Sequence, residues 1–341
     1  FESSRARQHM NNNSNNKIVK NVLITGGAGY IGSHVTETLL KKNKKVFLVD
    51  NLSTGHKKLI NKKAKFFKLD IANKRGIKKI IEKYKIDSII HLAAHLIIGE
   101  GQKKPKKYYK NNVLGTKKLL EACKNSTVKN FIFSSTAAIY KEGQYKVSEN
   151  SIIKPKSVYG KTKIKAENLI INFAKKNKIN YGILRYFNIA GASPSGKIGL
   201  INKKSDHLFK NFSSEIMKKR PKLKIYGSDY NTADGSCIRD FIHVSDIAQI
   251  HYLILEKINK LKISKILNCG YNKGSSVLEV AKEFKKQSSK KVNIVFTKRR
   301  KDDLIKIIAT NNKLKNFVKW TPKFDNLSKI VKSCIIWERK I

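Results

Sequence analysis

The sequence predicts an α/β protein built on a doubly wound parallel sheet, with a smaller C-terminal lobe. Three observations carry this. Short β-branched runs alternate with amphipathic stretches from Lys20 onward, a glycine-rich turn closes the first run, and the alternation breaks after Phe187. With 341 residues the chain has room for two units of about 100 to 200 residues each.

In chain order, the opening FESSRARQHM contains no lysine, unlike all that follows, and reads as vector-derived, with native sequence from Met10. Residues 1–19 form a leader whose last part, from Asn11, is a short polar tail. VLIT (22–25), KVFLVD (45–50), FFKLD (66–70), DSIIHLA (87–93), NFIFSS (130–135) and YGILRYF (181–187) read as strands at crossover spacing. Between them, 31–40, 77–84, 108–122 and 161–174 read as helices. Glycine, serine and asparagine predict a loop over 188–205, followed by a helix over 206–218. A helix over 244–261 and a strand over 265–269 return the chain to the sheet. Residues 20–187 plus 239–270 therefore form the sheet unit, and 188–238 plus 271–341 the second lobe.

Seventy-three basic residues against 24 acidic ones leave a formal charge of +49. Only nine of the basic residues are arginine, and the lysines run as pairs along every segment, so the charge reads as a solvated surface rather than a nucleic-acid footprint. Arginine then stands out where a planar fork suits carboxylate or phosphate, at Arg185, Arg239, Arg299 and Arg300. Cys123, Cys237, Cys269 and Cys334 are too far apart in sequence for a zinc knuckle or a redox pair, and predict reduced thiols in a cytoplasmic protein. The most apolar stretch, 88–98, is about half of what a membrane span needs and contains two histidines, so no membrane anchor is expected.

Gly26, Gly29 and Gly32 close the first strand and open the first helix. Glycine there permits a tight turn and close approach of a pyrophosphate to backbone N–H groups at a helix N-terminus. Asp50 ends the second strand 18 residues after Gly32, where a carboxylate accepts hydrogen bonds from an adenosine ribose and repels a 2′-phosphate, which favours NAD over NADP. Asp70 and Ile71, after the third strand, are placed to contact the adenine.

Tyr159 and Lys163 lie one helical turn apart, on the same face. Of the 13 tyrosines, only Tyr159 has a lysine four residues on, and it opens the helix that follows the strand ending Ser134-Ser135-Thr136. An ammonium and a positive nicotinamide ring beside it lower the phenol pKa from its usual value of about 10, and Thr136 hydrogen-bonds the reacting oxygen. His91 and His95 lack the further ligands that a metal needs, so none is expected. Ser193 lacks the spacing of a nucleophile elbow.

GGAGYIGSH, VDNLSTGH, HLAA (91–94), YYKNNVLGT (108–116), FSST, SVYGKTK, LRYFNIAGASPSG and DGSCIRDFIHVSD together resemble the extended short-chain dehydrogenase/reductase superfamily and, within it, the UDP-glucose 4-epimerase family. The resemblance covers residues 20 to 335 and implies a Rossmann-type NAD domain with a UDP-sugar-binding second lobe. It implies NAD-dependent interconversion of UDP-galactose and UDP-glucose through a 4-keto sugar, with Tyr159 as base and acid, Lys163 as its partner on the nicotinamide ribose, and Thr136 on the substrate 4-OH. It assigns to NAD the glycine turn with Tyr30 and Ile31, the stretch Asp50, Asn51, Leu52, Ser53, Thr54 and Gly55, then Asp70, Ile71, Leu92, Ala93, Ala94, Asn111 and Phe187. To the UDP-sugar it assigns Asn188, His207, Leu208, Tyr226, Arg239, Arg300 and Asp303.

The resemblance further implies a homodimer, through a four-helix bundle of 108–122 and 161–174 from each subunit. A dehydratase of the same scaffold would carry an Asp-Glu pair where Ala137 and Ala138 stand, so elimination has no catalyst here. A catalytically silent NAD-binding protein would have no need of the intact Thr136, Tyr159 and Lys163. Lys141, Gly101 and His207 depart from the usual family residues. Ile307 falls where side-chain bulk governs acceptance of a 2-acetamido group, and isoleucine leaves that point open.

Overall fold

The computed structural model describes residues 18–201, 206–300 and 303–341. The leader, except for Ile18 and Val19, lies outside the described residues, as does the end of the 188–205 segment. Seven parallel strands form the main sheet: β1 (Asn21–Thr25), β2 (Lys45–Asp50), β3 (Lys65–Lys68), β4 (Ser88–His91), β5 (Asn130–Thr136), β6 (Asn180–Tyr186) and β7 (Lys265–Cys269). They run across the sheet in the order β3-β2-β1-β4-β5-β6-β7. The sheet is therefore wound outward in both directions from β1 and β4, and its switch point lies between these two strands, where an α/β sheet opens a ligand crevice. Helices cover both faces, which is why β1, β2, β4 and β5 are apolar on both sides and almost wholly buried. One core joins Val22, Ile24, Ile90, Ile132 and Leu184 to the helix Val244–Leu261; the other joins Leu23, Ile89, Phe131 and Ile183 to Lys74–Lys83 and Val158–Asn177.

The α/β Rossmann-type fold expected from the alternation is the one observed, and the helix Val244–Leu261 and the strand Lys265–Cys269 fall where the sequence put them. Two local expectations change. The segment 108–122 is not one regular helix: Pro105–Tyr108 leads into a π-helical turn, Tyr109–Gly115, and then into Thr116–Cys123. No glycine or proline inside 109–114 marks that wider turn, so the letters do not distinguish it from an α-helix. The 188–205 loop begins as a strand, Asn188–Ala190, because Phe241–His243 lies alongside and pairs with it in parallel.

Beyond the main sheet, Lys146–Val147, Ile238–Arg239, Ser275–Ser276 and Lys306–Ala309 form a second, four-stranded sheet, and Lys222–Tyr226 pairs with Asn293–Thr297. A small apolar cluster joins this second sheet to the end of β5. Ala137 and Ile139, immediately after β5, pack with Phe187, Ile307 and Ala309. The buried Asp240 adds a polar tie, accepting from the backbone N–H groups of Tyr271, Asn272 and Ala309. Among the described residues, no helix is long and apolar enough to cross a membrane.

Candidate functional site

The cleft at the switch point is lined by Gly26, Asp50, Asn51, Ser53, Thr54, Ile71, Ala93, Ala94 and Asn111, together with Val49, Leu69 and His95. Gly26 makes the turn at φ +72°, and a Cβ there would meet the Ala93 backbone nitrogen at 2.8 Å. A Cβ at Gly32 would run into the Gly26 carbonyl, so the helix Tyr30–Lys41 starts close against the turn only because both positions are glycine. The buried Asp50 carboxylate accepts from the N–H groups of Ala28 (3.0 Å) and Leu52 (2.8 Å), which fixes it at the cleft wall while burial raises its pKa. Asn51 donates to Asp70 at 2.8 Å, so two residues assigned to the same ligand hold one another. A helix N-terminus beside a fixed carboxylate suits a diphosphate joined to a diol, and the residues present fit a dinucleotide.

Not every assigned side chain faces this cleft. The Tyr30 hydroxyl donates to the Gly191 carbonyl at 2.5 Å, and its ring packs edge-on against His34 and His207, lining a separate small cavity with Cys334 and Trp337. Tyr30 therefore ties the first helix to the segment that follows Ala190.

Tyr159 is the second residue of the helix Val158–Asn177, which is capped by the Ser157 hydroxyl accepting from the Gly160 N–H at 3.1 Å. Gly160 lets this helix start touch the turn after β5, since a Cβ there would overlap the Ala138 carbonyl. Thr136 closes β5, and its hydroxyl accepts from Ala138 N at 3.2 Å. Lys163, 3% exposed, donates to the Ser134 carbonyl at 2.6 Å and stands over the Phe133 ring. Burial pushes Tyr159 up to about 12, with the Thr136 hydroxyl pulling the other way. It pushes Lys163 down to about 7, opposed by the charge of Glu167. Desolvation thus favours the neutral form of both groups.

Asn112 was missed by the sequence reading, which stopped at its neighbour Asn111. Buried to 2% exposure, it bridges the cleft and the Tyr159 helix. Its amide donates to the His95 carbonyl (2.9 Å) and the Thr162 hydroxyl (3.1 Å), and its oxygen accepts from His95 N (2.9 Å) and Asn111 (3.0 Å). The π turn brings both asparagines into this network. The neutral His91 sits between the hydroxyls of Thr25 and Thr116. Among the described residues, no group of three or more histidine, cysteine or acidic side chains could hold a metal.

Among the residues expected to bind the UDP-sugar, Arg239 pairs with Asp303 at 2.5 Å, and the Arg300 guanidinium lies over the Tyr226 ring at 4.1 Å. His207 meets the Ile189 carbonyl at 2.6 Å, Leu208 begins the next helix, and Asn188 is exposed at the start of the short strand that pairs with Phe241–His243. Of the other two flagged arginines, Arg299 stacks on Tyr230 and pairs with Asp229, whereas Arg185 is buried in an ion pair with Glu167.

A doubly wound sheet with a glycine-turn cleft at its switch point and a Tyr-x-x-x-Lys pair beside it defines a dinucleotide-dependent enzyme of the reductase and epimerase kind. The chain belongs to the NAD dependent epimerase/dehydratase family, whose sequence pattern matches residues 22–270. It is 36% identical over 321 residues to UDP-glucose 4-epimerase of Azospirillum brasilense, covering 94% of this chain and 92% of that one. Among solved structures, it is similar to UDP-glucose-4-epimerase from Stenotrophomonas maltophila with bound NAD and formylated UDP-arabinopyranose, at TM-score 0.90 and 30% identity, covering 94% and 98% of the two chains. It is also similar to the UDP-Glc/GlcNAc 4-epimerase of Campylobacter jejuni, at TM-score 0.82 and 40% identity, covering 94% of this chain and 100% of that one.

Proposed function

We infer that this isomerase interconverts UDP-galactose and UDP-glucose by reversible, NAD-dependent epimerisation at C4, through a transient 4-keto sugar. The observation that carries this reading is the meeting of Thr136, Tyr159 and Lys163 beside the glycine-turn cleft, in a chain 36% identical to a UDP-glucose 4-epimerase. NAD bound in the cleft supplies the hydride acceptor for the sugar carbon and a positive ring charge near Tyr159. Tyr159 takes the O4 proton and returns it to the same oxygen after the sugar has turned over and the hydride has come back to the opposite face of C4; Thr136 holds that oxygen, and the Lys163 ammonium favours the phenolate that burial opposes. Asp50 holds the adenosine ribose, with Asn51, Asp70 and Ile71 around the adenine.

Arg239 and Arg300 hold the diphosphate, and Asn188, His207, Leu208, Tyr226 and Asp303 complete the UDP pocket. A sugar that must present both faces needs a firmly anchored nucleotide and a loosely held ring. That division of labour supports assigning residues 20–187 plus 239–270 to NAD, apart from Arg239 at the boundary, and 188–238 plus 271–341 to the UDP-sugar.

The same reading includes a homodimer, supported by the exposed Leu114 and the half-buried Leu169, Ile171 and Phe173 on the two candidate bundle segments. It also includes a cytoplasmic setting, in keeping with four free, buried cysteines. A second reading, acceptance of N-acetylated UDP-sugars, is favoured by the likeness to the Campylobacter jejuni enzyme. Ile307 is itself buried with Phe187 and Ala137, which puts its bulk next to the end of β5.

Purified protein is incubated with UDP-galactose and, in parallel, with the N-acetyl analogue, and the C4 epimers are quantified. Dinucleotide released on denaturation is identified. No conversion of UDP-galactose by NAD-loaded protein overturns the main reading, and conversion of both pairs establishes the second.

A further inference from the structure

Tyr159, Lys163 and Glu167 follow one another at four-residue steps and form a single stripe on the long helix. Glu167 has no part in the proton transfer described above, yet it is 1% exposed and its carboxylate is fully engaged. One oxygen accepts from the Ser135 hydroxyl and from Arg185 Nε at 3.1 Å, the other from Arg185 Nη2 at 2.8 Å. Arg185, equally buried, also reaches the Tyr140 hydroxyl at 3.1 Å and the Glu149 carbonyl at 3.4 Å. Two consecutive residues of the strand end are thus gripped from one helix. Lys163 holds the carbonyl of Ser134, Glu167 holds the hydroxyl of Ser135, and Thr136 comes next.

We propose that Glu167 is a positioning residue for the epimerisation: it fixes the strand end that presents Thr136 and, balanced by Arg185, sets the positive charge that Lys163 keeps beside Tyr159. This rests on the reading of Lys163 as the partner of Tyr159. The titratable and charged groups that act on Lys163 are Glu167 and Tyr159 on its own helix and His91 on β4, while Tyr186 on β6 acts on Tyr159 and Arg185 on Glu167. His91 is neutral. Tyr186, protonated through burial, is paired with His251. Glu167 is the anion acting on Lys163, and it opposes the desolvation that would strip the ammonium of its proton. The bidentate pairing with Arg185 anchors the carboxylate and partly offsets its field.

The test is the pH dependence of Lys163 acetylation by acetic anhydride, followed by peptide mass spectrometry on the full chain, with the alkaline limb of kcat as a second readout. Glu167→Gln removes the anion, and the Lys163 midpoint falls by about one pH unit or more, a roughly tenfold loss of the charged form at fixed alkaline pH. Arg185→Met leaves the Glu167 charge uncompensated, and the midpoint rises. Opposite signs are the signature, since a residue that only holds the fold moves neither midpoint. Ser135→Ala breaks only the strand-end bond and lowers kcat severalfold with the midpoint in place; unchanged kcat overturns the positioning role. Should Glu167→Gln fail to fold, Arg185→Met decides alone, and an unmoved or lowered midpoint overturns the proposal. Midpoints that move as stated with a fixed kcat limb support the Glu167 role and count against the Tyr159–Lys163 pairing.

Discussion

The two halves of the candidate site are held in different ways. Around the cleft, the polar side chains are fixed largely by backbone: Asp50 by the N–H groups of Ala28 and Leu52, Thr136 by Ala138 N, Lys163 by the Ser134 carbonyl. At the UDP-sugar side, the two arginines lean on other side chains, Arg239 on Asp303 and Arg300 on Tyr226. Backbone-fixed groups are ready before a ligand arrives, because their partners cannot rotate away. Side-chain pairs must exchange partners to receive one, and each exchange spends part of the binding energy. A tightly kept dinucleotide and an exchangeable UDP-sugar would need this contrast.

Tyr159→Phe cuts into the backbone-fixed half and is expected to have the largest effect. Turnover of UDP-galactose falls by about 10²- to 10⁴-fold, the range for losing a general acid and base. NAD content, measured after denaturation, stays unchanged. Wild-type turnover in this variant would remove Tyr159 from the chemistry. Arg239→Met cuts into the other half. Loss of a charge-assisted bond, about 1.5–3 kcal/mol, raises KM for UDP-galactose about 10- to 100-fold without altering NAD content. Equal loss of NAD would show that the two halves are not held independently.

Acid separates the halves by another route. His34, His91, His243 and His251 are buried around the main sheet, with pKa values lowered by burial to about 4, 3, 3 and 4. A histidine whose folded pKa lies below its unfolded value of about 6.5 contributes stability that is complete above pH 6.5 and is lost as pH falls toward the folded value, by up to about 1.4 kcal/mol per pH unit for each residue. Asp240, raised to about 6, opposes this weakly, since its folded form binds the proton more tightly between pH 4 and 6. Tm is therefore expected to fall steadily below pH 6.5, and a flat profile down to pH 5 would contradict the burial of these rings. The smallest effect belongs to the lysine surface. kcat/KM for the anionic UDP-sugar drops only a few-fold between low and physiological salt if the charge merely steers capture.

What could be read from the letters follows the same division. Strands and crossover helices were legible because β-branched runs and apolar periodicity act over five to ten residues at a time. The glycine turn and the Tyr159–Lys163 pair were legible because each fixes a local geometry. Asn112 and Glu167 were not. Asn112 is one asparagine in a chain rich in them, and three of its four hydrogen bonds come from segments 17 and 50 residues away. Glu167 could have been found from its place four residues beyond Lys163, but its partners Ser135 and Arg185 lie on two other strands. The mutual pairing of Arg239 with Asp303 was hidden for the same reason, since the two are 64 positions apart.

The π turn at Tyr109–Gly115 also bears on how this chain can change over generations. An α-helix advances each side chain by about 100° around its axis, and a π turn absorbs roughly one extra residue per turn. Deleting any one residue from 109–115 would restore regular winding and swing Asn111, Asn112 or both out of the network that joins His95 to Thr162. Substitutions on the outer face of that segment, such as at the exposed Leu114, leave its length intact. Replacement there leaves the asparagine network in place, whereas a change in residue count does not, so an alignment gap inside this heptad would be a stronger sign of altered activity than a replacement on its outer face.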